Sequence, residues 1–135
     1  MATRERTVSA TVSGSHPPRR IDVDPGAVRV RVEFGGEVVA NSARTLLLRE
    51  ANYPPVHYFP RDDVRMDLLI RTEHATHCPY KGAASYWTLE AGGRTAENVV
   101  WSYEAPIPGM TGIAGYLAFY RDRMDAWSEE PLRQD

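Results

Sequence analysis

One short segment concentrates the reactive side-chain types of this chain: Thr76-His77-Cys78-Pro79-Tyr80-Lys81-Gly82. Its Pro and Gly content reads as a tight turn. A lysine three residues from a cysteine across such a turn can lie near the sulfur. A nearby cation lowers a thiol pKa and supplies thiolate. Lys81 can equally hold a ligand carboxylate or phosphate. The plain alternative is a small buried Cys78 and a solvated Lys81. Cys78 and Lys81 are therefore the candidate catalytic pair, a nucleophilic or redox thiol and its activating cation.

A second signal is aromatic. Tyr58, Phe59, Tyr80, Tyr86, Trp87, Trp101, Tyr103, Phe119 and Tyr120 gather around turns. In a small β domain most aromatics are core, but Tyr and Trp keep a polar tip that needs a partner. Trp101 and Tyr103 share one strand face by alternation. A pocket lined by such side chains, with a cation at its mouth, is the usual form of a small-molecule site. The candidate lining is Tyr58, Cys78, Tyr80, Lys81, Trp101, Tyr103 and Tyr120. Arg44, Arg49, Glu50 and Arg61 flank apolar strands, where surface salt bridges are the ordinary role.

Other chemistries find no pattern. His57, His74, His77 and Cys78 are ligand types, yet they fall in turn and strand segments, and no Cys-x-x-Cys or His-Glu-x-x-His motif occurs. No metal and no cofactor are expected. There is no Ser/His/Asp signature, no Gly-x-Gly-x-x-Gly and no phosphate-cradling loop ahead of a helix. Gly109, Gly112 and Gly115 read as backbone devices.

The elements that must position these residues are strands. Val28, Val30, Val32 and Phe34 alternate with Arg29, Arg31 and Glu33, a half-buried strand. Gly35–Gly36 supplies a hairpin turn and Glu37 to Ala40 the return strand, broken at Asn41–Ser42. Thr45 to Glu50, Val56 to Phe59 and Leu68 to Arg71 are extended. Asp62 and Asp63 begin a short helical turn after Pro60. Ser85 to Glu90 and Asn98 to Tyr103 pair around Gly92–Gly93. Ile113 to Tyr120 is read as a strand, and Met124 to Trp127 as a short terminal helix. Residues 1–25 read as a flexible arm, 26–128 as the domain and 129–135 as a tail. The class is mostly β: a single antiparallel domain of two sheets with minor helix.

The chain has 135 residues, one cysteine and a net charge of −2. That suits one core and excludes an internal disulfide framework. Near-neutral charge argues against a nucleic-acid partner. Met1 to Gly14 lacks a signal-peptide apolar core, and no apolar run approaches the ~20 residues of a membrane span. A cytoplasmic protein of bacterial style is expected, with no membrane partner. Exposed strand edges allow a homodimer.

Several blocks together resemble the domain of unknown function 427 family. They are Glu37-Val38-Val39-Ala40-Asn41-Ser42, Leu48-Arg49-Glu50, Tyr58-Phe59-Pro60-Arg61-Asp62-Asp63-Val64, the His77 to Gly82 turn, Trp101-Ser102-Tyr103 and Gly115 to Tyr120. Met124-Asp125-Ala126-Trp127 also fits. The resemblance spans about Val28 to Trp127. It implies a β-tent-like fold of two antiparallel sheets meeting at one edge, and it adds Arg44 and Glu50 at the polar end of the pocket. The nucleotidyltransferase label sometimes attached to the family would need paired carboxylates on Mg²⁺, and Asp62–Asp63 read more simply as helix-start residues. The zinc of many β-tent domains needs two Cys-x-x-Cys knuckles, which a single cysteine cannot supply. Three functions follow: a domain binding an unidentified small molecule, an enzyme using Cys78 as activated thiol, or an interaction module without a pocket.

Overall fold

A computed structural model describes residues 8–12 and 19–132. Eleven strands form three antiparallel sheets among the described residues. The first sheet has the order β1 (Val8–Val12), β2 (Arg19–Pro25), β5 (Leu46–Glu50), β6 (Val56–Tyr58). The second is β10 (Leu117–Phe119), β9 (Arg94–Ser102), β8 (Gly82–Ala91), β7 (Leu69–Cys78). The third is β11 (Ala126–Pro131), β3 (Val28–Phe34), β4 (Glu37–Ser42). Among the described residues helix is limited to four single 3-10 turns, one of them Arg61–Asp63 after Pro60. Among the described residues no helix is long and apolar enough to cross a membrane.

The alternation of Val28 to Phe34 works as read. Val30 and Val32 are fully buried, while Arg29 and Arg31 are exposed. Gly35 and Gly36 both take positive φ at the β3–β4 turn, the backbone that a two-residue hairpin needs.

Five expectations are corrected. Arg19–Pro25, assigned to a flexible arm, is a strand inside the first sheet, with Ile21 and Val23 buried. Its alternation, with Arg20, Asp22 and Asp24 between the apolar positions, has the period of a half-buried strand. The rest of that arm, 1–7 and 13–18, lies outside the described residues. The sheets number three rather than two, because β1 and β2 join β5 and β6 in a sheet of their own. Met124–Trp127 is not helical. A 3-10 turn over Arg121–Arg123 leads into β11, which pairs with β3, so Glu129–Pro131 belongs to the domain and not to a tail. The Asp125 carboxylate fixes this course by accepting from the Gly35 amide (2.8 Å) and Arg94 (2.5 Å). Finally, β4 continues through Asn41 and Ser42 instead of breaking there.

Two apolar clusters fill the interior. Phe34, Phe59, Trp87, Leu89, Val100 and Phe119 pack between the second and third sheets. Ile21, Leu48, Tyr58, Tyr86, Tyr103 and Ile113 pack between the first and second. The first and second sheets also meet at one edge. Phe59 and Leu117 exchange backbone hydrogen bonds of 2.7 and 2.8 Å across the β6–β10 junction.

The β3–β4 and β8–β9 hairpins end in Gly-Gly tips that touch backbone to backbone. A Cβ on Gly35 would lie 2.2 Å from the Ala91 carbonyl oxygen, and one on Gly92 would lie 2.0 Å from that of Gly35. Added carbons on Gly36 and Gly93 meet nothing within 4 Å. All four have positive φ, so backbone strain of roughly 1–2 kcal/mol is common to any Ala substitution here. Gly35→Ala and Gly92→Ala should therefore lower stability in urea melts by at least about 2 kcal/mol more than Gly36→Ala and Gly93→Ala, because only the first pair adds a clash with backbone. Equal losses at all four positions would show that the tips do not abut.

Candidate functional site

A cavity of about 760 Å³ opens between the first and second sheets beside the β6–β10 junction. One wall comes from β5 and β6 through Leu47, Leu48, Glu50, Val56, His57 and Tyr58. The other comes from Tyr86 on β8, Trp101 and Tyr103 at the end of β9, and Phe119 and Tyr120 after it. Strand register explains the second wall. Tyr86 lies opposite Trp101, which lies opposite Ala118, and Tyr103 is two residues on, so these side chains share one sheet face. Tyr58 meets Trp101 edge-on at 6.3 Å and Tyr103 at 6.5 Å; Trp101 and Tyr120 lie 4.7 Å apart.

The polar end of the cavity is an ion cluster. Lys81 Nζ donates to Glu50 Oε1 at 2.7 Å, and Arg19 donates to Glu50 Oε2 at 2.5 Å. The Lys81 and Glu50 side chains are about nine-tenths buried, with 10% and 9% exposure. The Arg19 guanidinium also lies over the Tyr80 ring, 4.0 Å from its centroid. Burial pushes the Glu50 carboxyl up, but hydrogen bonds and charge from Lys81 and Arg19 outweigh it, and the net pKa is below the ordinary value. The Glu50 carboxyl is thus ionised at neutral pH.

The tyrosines respond differently. Burial raises the Tyr58 and Tyr103 hydroxyls well above the usual tyrosine range, with the nearby Glu50 carboxylate adding to the effect. Burial, then Tyr86, pushes Tyr120 up to about 12. All three remain neutral O–H donors at pH 7. The Tyr58 oxygen accepts from Trp101 Nε1 at 3.3 Å. The Tyr103 side chain is buried at 7% exposure and lines the cavity, and its hydroxyl has no hydrogen-bond partner among the described residues.

A second polar group borders the cavity on the other face of β6. His57 Nδ1 pairs with Thr45 Oγ1 at 2.8 Å, and its Nε2 lies 3.7 Å from Glu129. Burial lowers the His57 pKa, with Glu129 opposing, so the ring is neutral at pH 7. Glu129 also accepts from Trp127 Nε1 at 2.9 Å and from Arg121 at 3.4 Å.

Of the residues singled out in the sequence, Glu50, Tyr58, Cys78, Lys81, Trp101, Tyr103 and Tyr120 line this one cavity. Tyr80 lies behind it, beneath Arg19. Arg44 does not reach it. Its guanidinium pairs with Asp63 at 3.2 Å, and its amide is held by Ser42 Oγ at 2.9 Å, which fixes it on the β4 side. Lys81 and Cys78 are joined through the backbone turn, Lys81 N–H to Cys78 O at 3.2 Å, while the ammonium is directed to Glu50. The candidate lining read from the sequence omits Arg19, Tyr53, Arg121, Trp127 and Glu129, and also Tyr86 and His57, which the sequence marks only as an aromatic and as a ligand type. The alternation around Ile21 and Val23 could have signalled Arg19; no local signal marks Arg121 or Glu129.

The family model described as domain of unknown function 427, labelled NTP_transf_9, matches residues 22–130. No curated protein matches the chain.

The ion cluster makes a signed prediction. Because the folded pKa of Glu50 is depressed, its ionised form contributes stability that is fully present above the unfolded carboxylate value of about 4.3 and is lost as pH falls through the folded value. Glu50→Gln should cost about 3–5 kcal/mol at neutral pH, since Lys81 is left buried without its carboxylate. The variant should then lose less stability than the wild type on going from about pH 5 to about pH 3 in urea unfolding. Parallel acid limbs for the two proteins would show that Glu50 is not held as an ion.

Proposed function

We propose that this chain, which belongs to the domain of unknown function 427 family, binds a small organic molecule in the cavity between β5–β6 and β8–β10. The observation that carries this reading is the combination, in one cavity, of aromatic walls with buried polar groups fixed before any ligand arrives. A volume near 760 Å³ falls in the range of small-molecule sites. Tyr58 and Tyr103 present neutral donors, and the Lys81–Glu50–Arg19 cluster gives a charged end whose geometry is set by its own hydrogen bonds.

Thiol catalysis at Cys78 has less support. The Lys81 ammonium that would activate the sulfur is committed to Glu50 at 2.7 Å. Nucleotidyl transfer draws no support from Asp62–Asp63, since the Asp63 carboxylate is taken up by Ser42 (2.6 Å) and Arg44. An interaction module would need an apolar surface patch. Among the described residues, two of the three large exposed apolar side chains, Tyr53 and Tyr120, line the cavity itself, which favours a site over a separate surface patch.

Native mass spectrometry of protein purified directly from cell extract tests the reading. The wild type should carry a bound small molecule that is lost on denaturation. Tyr103→Phe keeps the ring and should change stability by no more than about 1 kcal/mol, yet it should retain the molecule clearly less well, because a hydrogen bond to the ligand is removed. A bare wild-type mass, with no protection against melting by a small-molecule extract of the same cells, would remove the proposal.

A further inference from the structure

The cavity's charge is unbalanced, and the imbalance specifies a ligand. Among the described residues its lining carries three cations, Arg19, Lys81 and Arg121, against two carboxylates, Glu50 and Glu129. His57 is neutral at pH 7 and adds nothing. Glu129 already answers Arg121. The surplus lies at the other end, where Arg19 and Lys81 share the single carboxylate of Glu50. Lys81 is nearly enclosed, so solvent screens its charge poorly, and an ammonium with three donors has one of them on Glu50. The Tyr103 hydroxyl belongs to the same cavity and, among the described residues, has no hydrogen-bond partner. A neutral phenol donates as well as accepts, so it suits an anionic oxygen.

Resting on the reading of the cavity as a small-molecule site, we infer that its ligand is an apolar monoanion. The anionic group would lie against Lys81, Arg19 and Tyr103, and the apolar body along Tyr58 and Trp101. One negative charge brings the Arg19–Lys81–Glu50 end to neutrality. A second would exceed it, and a cationic ligand would add to the surplus. The walls are aromatic and aliphatic, so the rest of the ligand is apolar.

Two fluorescent probes of nearly the same shape isolate the charge: 8-anilinonaphthalene-1-sulfonate, a monoanion, and N-phenyl-1-naphthylamine, its uncharged counterpart. The expected result is saturable binding of the sulfonate at one site per chain. Arg19→Met and Lys81→Met should each weaken it by about tenfold or more, as loss of a charge-assisted contact does. Binding of the neutral probe should change by less than about twofold. Arg19 is the more exposed partner, so Arg19→Met keeps the comparison available if Lys81→Met fails to fold. Tyr103→Phe should also weaken the sulfonate selectively. If the neutral probe binds and the sulfonate does not, or if both lose affinity equally in the variants, the monoanion inference is overturned while the cavity stands as a binding site. If neither probe binds the folded wild type, the reading of the cavity falls, and this inference with it.

Discussion

The structure depends on a carboxylate that two cations hold away from water. Glu50 closes β5, Arg19 opens β2, and Lys81 stands in the turn between β7 and β8. The cluster therefore ties the first sheet to the second through side chains. At the opposite end of the β5–β6 hairpin, the same two sheets are tied through backbone, by Phe59 and Leu117. Desolvating Glu50 and Lys81 costs several kcal/mol per ion, so the cluster persists only because both carboxylate oxygens receive short hydrogen bonds. A pair of apolar residues would fill the same space more cheaply.

Between these two ties the sheets enclose side chains that are apolar in body and polar at the tip. Tyr58, Tyr86, Trp101 and Tyr103 come from two sheets and converge because strand register places three of them on one face and β6 brings the fourth across. Their burial keeps the hydroxyls protonated, so the cavity offers donors beside a fixed ion cluster. The third sheet plays no part in the charged end. It supports the other face of the second sheet through Phe34, Trp87 and Leu89, and the abutting Gly-Gly tips lock the two together.

Much of this was legible in the chain. Period-two alternation placed β3, and paired glycines placed two hairpins, because both signals are local. The aromatic set and the Cys78 to Lys81 turn marked most of the cavity, because Tyr and Trp with polar tips are costly to bury without a purpose. Arg44 was placed at the pocket by the resemblance and not by a local pattern, and its partner Asp63 is nineteen residues away. Arg19 was hidden by its setting beside Pro17 and Pro18, where polar composition outweighed a short alternation. Arg121 and Glu129 enter only because β11 returns to pair with β3, a long-range contact that local pattern does not encode.

The account rests on the Glu50–Lys81 pair being a strong buried link between sheets. A double-mutant cycle in urea unfolding, using Glu50→Gln, Lys81→Met and the combined variant, measures that link directly. The account predicts a coupling energy of about 2 kcal/mol or more, with the double variant closer in stability to the wild type than the sum of the two single losses. A coupling at or below about 0.5 kcal/mol, the value of an exposed pair, would contradict it.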